Sequence, residues 1–545
     1  MDDRTRKAGM RRGTIALVAL GLLAAWAAAR NMGARTDAVP ADAPRALTQF
    51  GPYDAGTSLR QAFESLPADA HRTALTLVVE NTDAWATRWR LLASARDSID
   101  ISYFILREDL FGAAFLGHLL KKAREGVRIR LLFDAQGTVM SFTSPRGNDW
   151  LDTLANLGNV DVKLFRPLLG RYVEALLTAN PVALIASEHD KIMVIDRRRA
   201  MIGGRNLSAE YFADPLDLPT AFEDVDVILE GESAARLLIA AFETQYGSER
   251  ARLVRRERVD LASYEEELTL AYRLMQAWLD ATDVDAQTAA RFAALGVSWR
   301  DDLARYPRLR GVLTRPPAPP DAKAETRLLD SPTRLELRAD AIDEALRRLG
   351  QSARGRILIQ SPYLVLAEET VERLAAIGAR GVDVTILTNS PVSSDNALSQ
   401  AFFLEQWPEL LARVPRLRIF VTGQPRNLHA KLAVFDDQVT LIGTYNLEPM
   451  SMRANSEIMA AVWSRAFAQR AASRAQVLLA RGPPSVYEYR IARDSAGRPV
   501  RDADGKPVVA FGPRDHAAPD EWRAVKLYWS ALRTAQKVTG YLPLF

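Results

Sequence analysis

Two stretches of the chain repeat one pattern of polar residues: His189-Asp-Lys191-Ile-Met-Val-Ile-Asp196 and His429-Ala-Lys431-Leu-Ala-Val-Phe-Asp436. We call them the first and second cassettes. A glycine turn and an asparagine follow each at the same distance, in Gly203-Gly204-Arg205-Asn206 and in Gly443-Thr444-Tyr445-Asn446. Either copy alone would more often be a strand with surface polar groups, but coincidence does not readily fix the same residues twice. The repeat therefore indicates a shared chemical role.

The side chains of the cassettes suit transfer at phosphorus. Histidine can act near neutral pH as a nucleophile or as a proton donor, so two histidines could divide these roles. Each lysine follows its histidine by two residues, which places both on one face of an extended strand. The lysines and asparagines could bracket the oxygens of a phosphodiester. Asp196 and Asp436 end the apolar runs, where holding a turn or a partner histidine is favoured over direct proton transfer.

The segments upstream of the cassettes also repeat. Residues 99–112 and 125–134 predict a strand, a helix and a second strand before the first cassette, and residues 357–363 and 380–390 repeat that order before the second. At 545 residues the chain exceeds one compact core, which stops growing at roughly 250–300 residues. We therefore expect an α/β protein of two similar halves, with helices such as Leu110–Arg124 and Thr370–Arg380. A pseudo-two-fold axis would bring the cassettes together in a cleft.

The paired H-x-K-x-x-x-x-D and G-x-x-N patterns resemble those of the phospholipase D superfamily. Within it, the chain most resembles the bacterial cardiolipin synthases of the branch called cardiolipin synthase C. Stretches that carry this resemblance are Glu210-Tyr211-Phe212, Phe222-Glu-Asp224-Val-Asp226-Val, Thr388-Asn389-Ser390, Asn446-Leu-Glu-Pro449-Met-Ser451 and Asn455-Ser-Glu457. Met450 departs from the arginine usual in that branch, and Thr444 from the serine.

The resemblance implies two phospholipase D-like halves, each a mixed, largely parallel sheet flanked by helices, with a pseudo-two-fold active-site cleft. It implies a covalent phosphohistidine intermediate, no metal and no cofactor. His189 would be the nucleophile and His429 the general acid, although the spacing alone permits the reverse. The catalytic residues implied are His189, Lys191, Asp196, His429, Lys431 and Asp436. The residues implied in phosphate binding or support are Asn206, Asn446, Gly204, Thr444, Glu457 and Asp226.

The implied activity is phosphatidyl transfer that forms cardiolipin, from phosphatidylglycerol to a second phospholipid or an alcohol. Hydrolysis by a phospholipase D differs only in the use of water as acceptor. A nucleic-acid phosphodiesterase is the rival class, and we expect no nucleic acid as substrate because an export segment is present. The net charge of +4 suits an anionic lipid surface or nucleic acid and decides neither. The absence of cysteine excludes disulfides and zinc–thiolate sites, and the sequence leaves the oligomeric state open.

The first 30 residues predict a signal anchor or a cleaved signal peptide. Five basic residues precede the apolar run 13–29, which places the N-terminus in the cytoplasm and the catalytic halves outside the bacterial inner membrane. Residues 31–60 predict a flexible tether. We expect the first half at 61–255, a connector or insert at 256–335, and the second half with a C-terminal extension at 336–545. The helical part of the connector, 268–279, is favoured to pack on the first half over covering the cleft or touching the membrane.

Overall fold

The computed structural model describes residues 49–539, apart from 55, 141, 143–145, 181, 255–260, 296–297, 336–339 and 519. The predicted anchor at 1–30 and most of the predicted tether at 31–60 lie outside the described residues. Within the described ranges, no helix is both long enough and apolar enough to cross a membrane.

Eight strands of the first half form one mixed sheet in the order β8-β4-β3-β2-β5-β6-β7-β1. Their bounds are β1 Asp69–Val78, β2 Ser98–Tyr103, β3 Arg128–Asp134, β4 Val160–Phe165, β5 Ile192–Ile195, β6 Arg199–Gly203, β7 Asp226–Glu230 and β8 Ala251–Leu253. The first cassette supplies β5, as its apolar run predicts.

The strands of the second half repeat this arrangement in the order β9-β15-β14-β13-β10-β11-β12-β16-β17. Their bounds are β9 Ala322–Ser331, β10 Arg356–Gln360, β11 Asp383–Thr388, β12 Leu417–Thr422, β13 Leu432–Phe435, β14 Val439–Gly443, β15 Glu457–Trp463, β16 Val486–Ile491 and β17 Val509–Phe511. The second cassette supplies β13. The predicted duplication is confirmed.

Parallel pairing among the described strands is confined to β2-β3-β4 and β10-β11-β12. The prediction of mixed sheets flanked by helices is confirmed, but the parallel share is smaller than expected. The reason lies in the cassettes, since each cassette strand joins the next through a tight turn, and two strands joined in this way must pair antiparallel. At the turns Asp196 and Asp436 have φ of 50° and 48°.

The two halves meet through β1 and β9, which pair antiparallel with Ala74 opposite Lys323. The two strands are equivalent, because β1 borders β7 in the first half and β9 borders β15 in the second. Antiparallel pairing of equivalent strands is the arrangement that a two-fold axis produces. The sheet therefore runs without a break from β8 to β17.

Helices cover both faces of this sheet. Their bounds are α1 Leu59–Glu64, α2 Asn81–Ser94, α3 Leu110–Arg124, α4 Arg146–Ala155, α5 Leu168–Thr178, α6 Val182–Ile185, α7 Ala209–Phe212, α8 Glu232–Tyr246, α9 Leu261–Leu279, α10 Ala286–Leu295, α11 Trp299–Ala304, α12 Ala341–Ser352, α13 Glu368–Ala379, α14 Ala397–Arg413, α15 Pro449–Arg453, α16 Arg465–Arg481 and α17 Arg523–Thr539. The helices predicted at 110–124 and 370–380 correspond to α3 and α13.

The connector helix α9 packs against α3 of the first half. A side chain at Gly117 would place its Cβ 2.0 Å from the carbonyl oxygen of Leu268, so only glycine permits this close approach. Trp89 and Tyr272 stack with ring centroids 5.5 Å apart. This is the arrangement that the sequence favours for the helical part of the connector.

Each half also holds a piece of chain from outside its main run. Helix α1 precedes the first sheet, yet Leu59 and Phe63 lie in the apolar core of the second half with Ile342 of α12. Strand β9, within the predicted connector 256–335, joins both sheets. The predicted domain limits stay predictions.

Candidate active site

His189 lies in the loop that leads into β5, and a carboxylate from the other half holds its ring. Nδ1 of His189 is 2.9 Å from Oε1 of Glu457, the first residue of β15. When Glu457 is ionised it can only accept a hydrogen bond, so in that state the ring carries its proton on Nδ1 and leaves the lone pair of Nε2 available. The His189 residue is 8% exposed.

His429 repeats this arrangement with the halves exchanged. Its Nδ1 is 2.7 Å from Oδ2 of Asp224, which stands just before β7 of the first half, and His429 is 4% exposed. The strand register makes the two carboxylates equivalent, because Gly203 pairs with Asp226 and Gly443 with Met459. Each histidine is thus held by the half to which it does not belong.

The backbone of each cassette is tied across the axis as well. The amide of His189 donates to Oγ of Ser456 at 2.9 Å, and the amide of His429 donates to the carbonyl oxygen of Glu223 at 2.7 Å. These bonds fix the backbone position from which each imidazole projects. Neither half could position its own histidine without the other.

The lysines lie beside their histidines. Lys191 Nζ donates to the carbonyl oxygen of His189 at 2.7 Å, and Lys431 Nζ is 2.9 Å from Nδ1 and 3.1 Å from Nε2 of His429. Burial lowers the pKa of Lys191 to about 8 and that of Lys431 to about 7. Burial, followed by the positive charges of Lys191, Lys431 and His429, holds the pKa of His189 well below its ordinary value. The structure therefore brings the two cassettes into one site.

The two carboxylates have opposite titration behaviour. Burial raises the pKa of Glu457 to about 7, against the opposing charge of Lys191. Burial also acts to raise the pKa of Asp224, but the charge and hydrogen bond of His429 outweigh it and leave that pKa below its ordinary value. Burial and the charge of Lys431 lower the pKa of His429, and the charge and hydrogen bond of Asp224 oppose that shift. Asp224 is thus the anion that favours a protonated His429, and His189 has the less anionic partner.

Thr444 and Gly204 border these carboxylates at equivalent positions. Oγ1 of Thr444 donates to Oε2 of Glu457 at 2.5 Å, and Ser451 donates to Oε1 of the same carboxylate at 2.5 Å. A side chain at Gly204 would place its Cβ 2.2 Å from Oδ1 of Asp224. Threonine supports the longer glutamate, whereas glycine makes room for the aspartate.

The two asparagines hold the loops that follow the cassettes. Asn206 donates to the hydroxyl of Tyr211 at 3.0 Å and accepts from the amide of Ile105 at 3.2 Å. Asn446 donates to Oε1 of Glu448 at 3.2 Å, and its own buried Oδ1 has no hydrogen-bond partner among the described residues. Phosphate binding by these amides stays a prediction.

Asp226 lies behind the site. It accepts from Arg88 at 2.9 and 3.1 Å and from Arg205 at 2.9 Å, and all three side chains are almost fully buried. Both oxygens of this carboxylate accept from arginines, and neither histidine lies among its hydrogen-bond partners in the structure. Asp226 therefore contacts the core of the first half, and its role in phosphate binding or support stays a prediction.

Asp196 and Asp436 lie at the far ends of the cassette strands. Asp196 accepts from the backbone amides of residues 96–98, and Asp436 accepts from those of residues 354–356. In each cassette a four-residue strand lies between the histidine and the aspartate, so the two side chains are at opposite ends of that strand. The sequence analysis places Asp196 and Asp436 among the catalytic residues. The structure does not bring them to the histidines, and both aspartates hold turns.

Sequence reasoning missed Asp224 as the partner of His429 and Ser456 as a backbone support. Asp224 was visible in the stretch Phe222–Asp226, but the loop from Asn206 to Asp224 is longer than that from Asn446 to Glu457. This difference hides the equivalence of Asp224 and Glu457. The adjacent Asn-x-Glu pattern could have directed attention to Ser456.

Aromatic rings close the site around both histidines. Phe104 lies edge to face with His189 at 5.0 Å, and Tyr211 does so with His429 at 5.3 Å. The ring of Phe222 lies 5.7 Å from that of His429. These rings add apolar surface to a buried site, and charges in such a site interact more strongly than they would in solvent.

Comparison with protein families gives a match to the model described as "Cardiolipin synthase, PLD-like domain", over residues 89–246 and 346–478. These two ranges contain the two cassettes and cover more than half of the chain. The chain belongs to this phospholipase D-like family.

Curated relatives include cardiolipin synthase C of Escherichia coli (strain K12), 27% identical over 72% of this chain and 81% of the relative. Cardiolipin synthase 1 of Bacillus cereus is 23% identical over 75% of this chain and 66% of the relative. Among solved structures, the phosphatidylserine synthase of Haemophilus influenzae Rd KW20 matches with a TM-score of 0.56 and 12% identity. That match covers 89% of this chain and 98% of the other. It shows that the two chains share a fold.

Proposed function

We propose that this protein is a phosphatidyltransferase that forms cardiolipin through a phosphohistidine on His189. The observation that carries the proposal is the pair of crosswise histidine–carboxylate contacts with unlike carboxylates, in a chain whose relatives include cardiolipin synthases. The contacts leave His189 with a pKa well below its ordinary value and give His429 the anionic partner Asp224, which stabilises its protonated form; a two-step transfer needs these two roles.

In the first step, Nε2 of His189 attacks the phosphorus of phosphatidylglycerol. The N–P bond forms as the bond to the glycerol oxygen breaks, and His429 gives its proton to that oxygen. The lowered pKa of His189 keeps the nucleophile neutral, while Asp224 stabilises the protonated form of His429. Free glycerol leaves the site.

In the second step, a hydroxyl of another phosphatidylglycerol attacks the phosphohistidine. The neutral His429 accepts its proton, the N–P bond breaks, and His189 is regenerated. Lys191 and Lys431 offset the negative charge on the phosphoryl oxygens in both steps. The described residues contain no group of three His, Cys, Asp or Glu side chains placed to hold a metal ion. The chemistry that we propose uses the protein's own side chains.

The acceptor separates this proposal from its alternatives. Water in the second step would make the protein a phospholipase D that releases phosphatidic acid. The aromatic closure of the site favours a lipid alcohol over water. Mass analysis of the products from phosphatidylglycerol vesicles distinguishes cardiolipin from phosphatidic acid. A parallel assay with a DNA phosphodiester as substrate tests for the rival nuclease activity.

The intermediate can be trapped with the histidine variants. The substrate for His429→Ala is a phosphatidyl ester of p-nitrophenol, because this leaving group departs without protonation by an acid. The variant should then accumulate a phosphatidyl group on the peptide that contains His189. His189→Ala should carry none. The samples are quenched in alkali, in which phosphohistidine survives, and the peptides are identified by mass spectrometry.

The control is His71→Ala, whose imidazole is 73% exposed on β1. It should keep normal turnover. A phosphatidyl group on His429 in the His189→Ala variant would reverse the assignment of nucleophile and acid. Normal turnover by folded His189→Ala would refute the phosphohistidine route.

We also propose that the catalytic halves lie outside the cytoplasmic membrane. The support is the basic N-terminal stretch followed by the apolar run 13–29. A reporter active only outside the cytoplasm, fused after Phe545, should be active. Activity of a cytoplasm-only reporter at that position would overturn the orientation.

A further inference from the structure

Helix α5 exposes an apolar face to solvent. The exposed fractions are 77% for Leu169, 62% for Tyr172, 47% for Val173, 82% for Leu176 and 80% for Leu177. Their spacing places all five on one side of a helix. Contiguous exposed apolar surface of this kind marks a docking site.

The polar side of α5 faces the protein. Arg171 is buried and donates to Oδ2 of Asp134 at 2.8 Å and to the carbonyl oxygen of Ala186 at 2.9 Å. Glu174 accepts from Arg166 at 2.7 Å. These bonds fix the rotation of the helix, so the apolar face points outward because its polar face is anchored.

The anchor of α5 is continuous with the first cassette. Asp134, which binds Arg171, also accepts from the amide of Glu188 at 2.9 Å, and Arg171 donates to Oγ of Ser187 at 3.3 Å. Glu188 directly precedes His189. The exposed face therefore belongs to the structure that positions the first histidine.

Among the described residues, the second half has no counterpart of this helix before His429. Residues 166–188 separate β4 from His189, whereas only residues 423–428 separate β12 from His429. The insertion adds the apolar face beside one histidine alone. That histidine is the proposed nucleophile.

We propose that α5 is an interfacial helix that inserts its apolar face into the surface of a phospholipid bilayer beside His189. The inference rests on the proposed function for its choice of substrate. Beside α5, two arginines, Arg166 and Arg250, pair with the single carboxylate of Glu174, so one positive charge is left over. The Arg250 side chain is 44% exposed, and this charge suits an anionic lipid surface. The acyl chains would stay in the bilayer while the phosphodiester reaches the site.

The absence of cysteine gives a direct test in the full chain. Leu177→Cys is labelled with a polarity-sensitive dye and the protein is reconstituted in vesicles of phosphatidylglycerol and phosphatidylethanolamine with brominated acyl chains. We expect blue-shifted emission that the bromines quench. The matched control is Leu527→Cys on α17, a leucine that is 65% exposed in the second half and should be quenched little.

The other results overturn the proposal. Emission typical of water at position 177 would show that the face stays in solvent. A blue shift without quenching would show that another copy, a protein or the chain's own residues 1–48 covers it. Equal quenching at 177 and 527 would show no preference for α5. The readout needs no turnover, so it is independent of the proposed transferase activity.

A second test measures the consequence for catalysis. The triple variant Leu169→Gln, Leu176→Gln, Leu177→Gln should raise the apparent KM for vesicle substrate at least about tenfold, because each leucine loses a favourable transfer from water. Its KM for a monomeric short-chain phosphatidylglycerol should not change. An unchanged vesicle KM, or equal losses on both substrates, would contradict the proposal. The control triple variant Val477→Gln, Val509→Gln, Leu527→Gln alters apolar residues exposed elsewhere.

Discussion

The two halves support their histidine loops with different chemistry at equivalent positions. In the first half Asp134 accepts the amide of Glu188, and its charge requires the buried guanidinium of Arg171. In the second half Asn389 does the same for Leu428 at 2.8 Å, also donates to the carbonyl of that residue at 2.9 Å, and carries no charge. A neutral amide suffices where the loop is short. A carboxylate needs a cation, and the inserted helix that supplies it also brings an exposed apolar face.

A second difference concerns the carboxylates that hold the rings. The shorter Asp224 approaches through the space left by Gly204, and the longer Glu457 accepts from Thr444 and Ser451. The duplicated fold therefore offers two similar histidines with unlike partners. The proposed mechanism uses this difference, with one histidine as nucleophile and the other as acid.

The largest effect should come from removing the charge of Asp224. Asp224→Asn should slow transfer from phosphatidylglycerol by about 10²–10⁴-fold, because a neutral partner no longer favours protonated His429. First-turnover release of p-nitrophenol from its phosphatidyl ester should fall far less, since that leaving group needs no proton. Glu457→Gln should slow the reactions of both substrates by the same factor. Equal losses on both substrates for Asp224→Asn would contradict the assignment of His429 as the acid.

Stability should respond to the Asp134–Arg171 pair. Arg171→Met leaves a buried carboxylate without its cation and should lower the free energy of unfolding by about 3–5 kcal/mol. The double variant Asp134→Asn, Arg171→Met should recover most of this loss, because it copies the second half. The mirror variant Asn389→Asp should destabilise, since the structure places no arginine among the hydrogen-bond partners of Asn389. Urea unfolding measures all three, and failure of the double variant to recover would refute the comparison.

The lysines should give the site a pH dependence. Their lowered pKa values mean that each ammonium is present at lower pH and loses its proton as pH rises through about 7 for Lys431 and about 8 for Lys191. The positive charge of the site then declines. Above the pKa of a lysine that binds the substrate, the KM for an anionic phosphodiester should rise about tenfold per pH unit. Lys431→Arg keeps its charge and should shift the rise to higher pH. A KM that is constant from pH 6 to 9 would show that the lysines do not supply this charge.

The smallest effect on catalysis should come from the turn aspartates. Asp196→Ala and Asp436→Ala remove acceptors for backbone amides far from the histidines, so each should lower unfolding stability by about 1–3 kcal/mol and leave kcat within about twofold. Steady-state assays together with urea unfolding check both. A large loss of kcat in a stably folded variant would return these residues to the catalytic group.

The sequence predicts those parts of the site that depend on local spacing. The two-residue spacing predicts Lys191 beside His189, as the structure has them, although both precede the strand instead of lying on it; the apolar runs predict β5 and β13 correctly. The resemblance names Glu457 as a supporting residue, and the structure places its carboxylate 2.9 Å from Nδ1 of His189; its role stays a prediction. The choice between Asp224 and Asp226 requires the sheet register, because both belong to one short stretch and only their partners in space differ.

The surface of α5 could not be read from the sequence. Its stretch Leu168–Thr178 is mostly apolar, which is usually typical of a buried helix. The outward rotation depends on the bond of Arg171 to Asp134, 37 residues earlier in the chain, and on the pairing of Glu174 with Arg166. The N-terminal anchor lies outside the described residues and stays a prediction.

The ladder between β1 and β9 has a mechanical consequence. Rotation of one half against the other would break the backbone bonds of this ladder, including those around Ala74 and Lys323, so the junction cannot serve as a hinge. The separation of the two imidazoles is therefore stiff throughout a reaction cycle. Any motion that admits a substrate must therefore come from the loops around the site and not from a movement of the two halves.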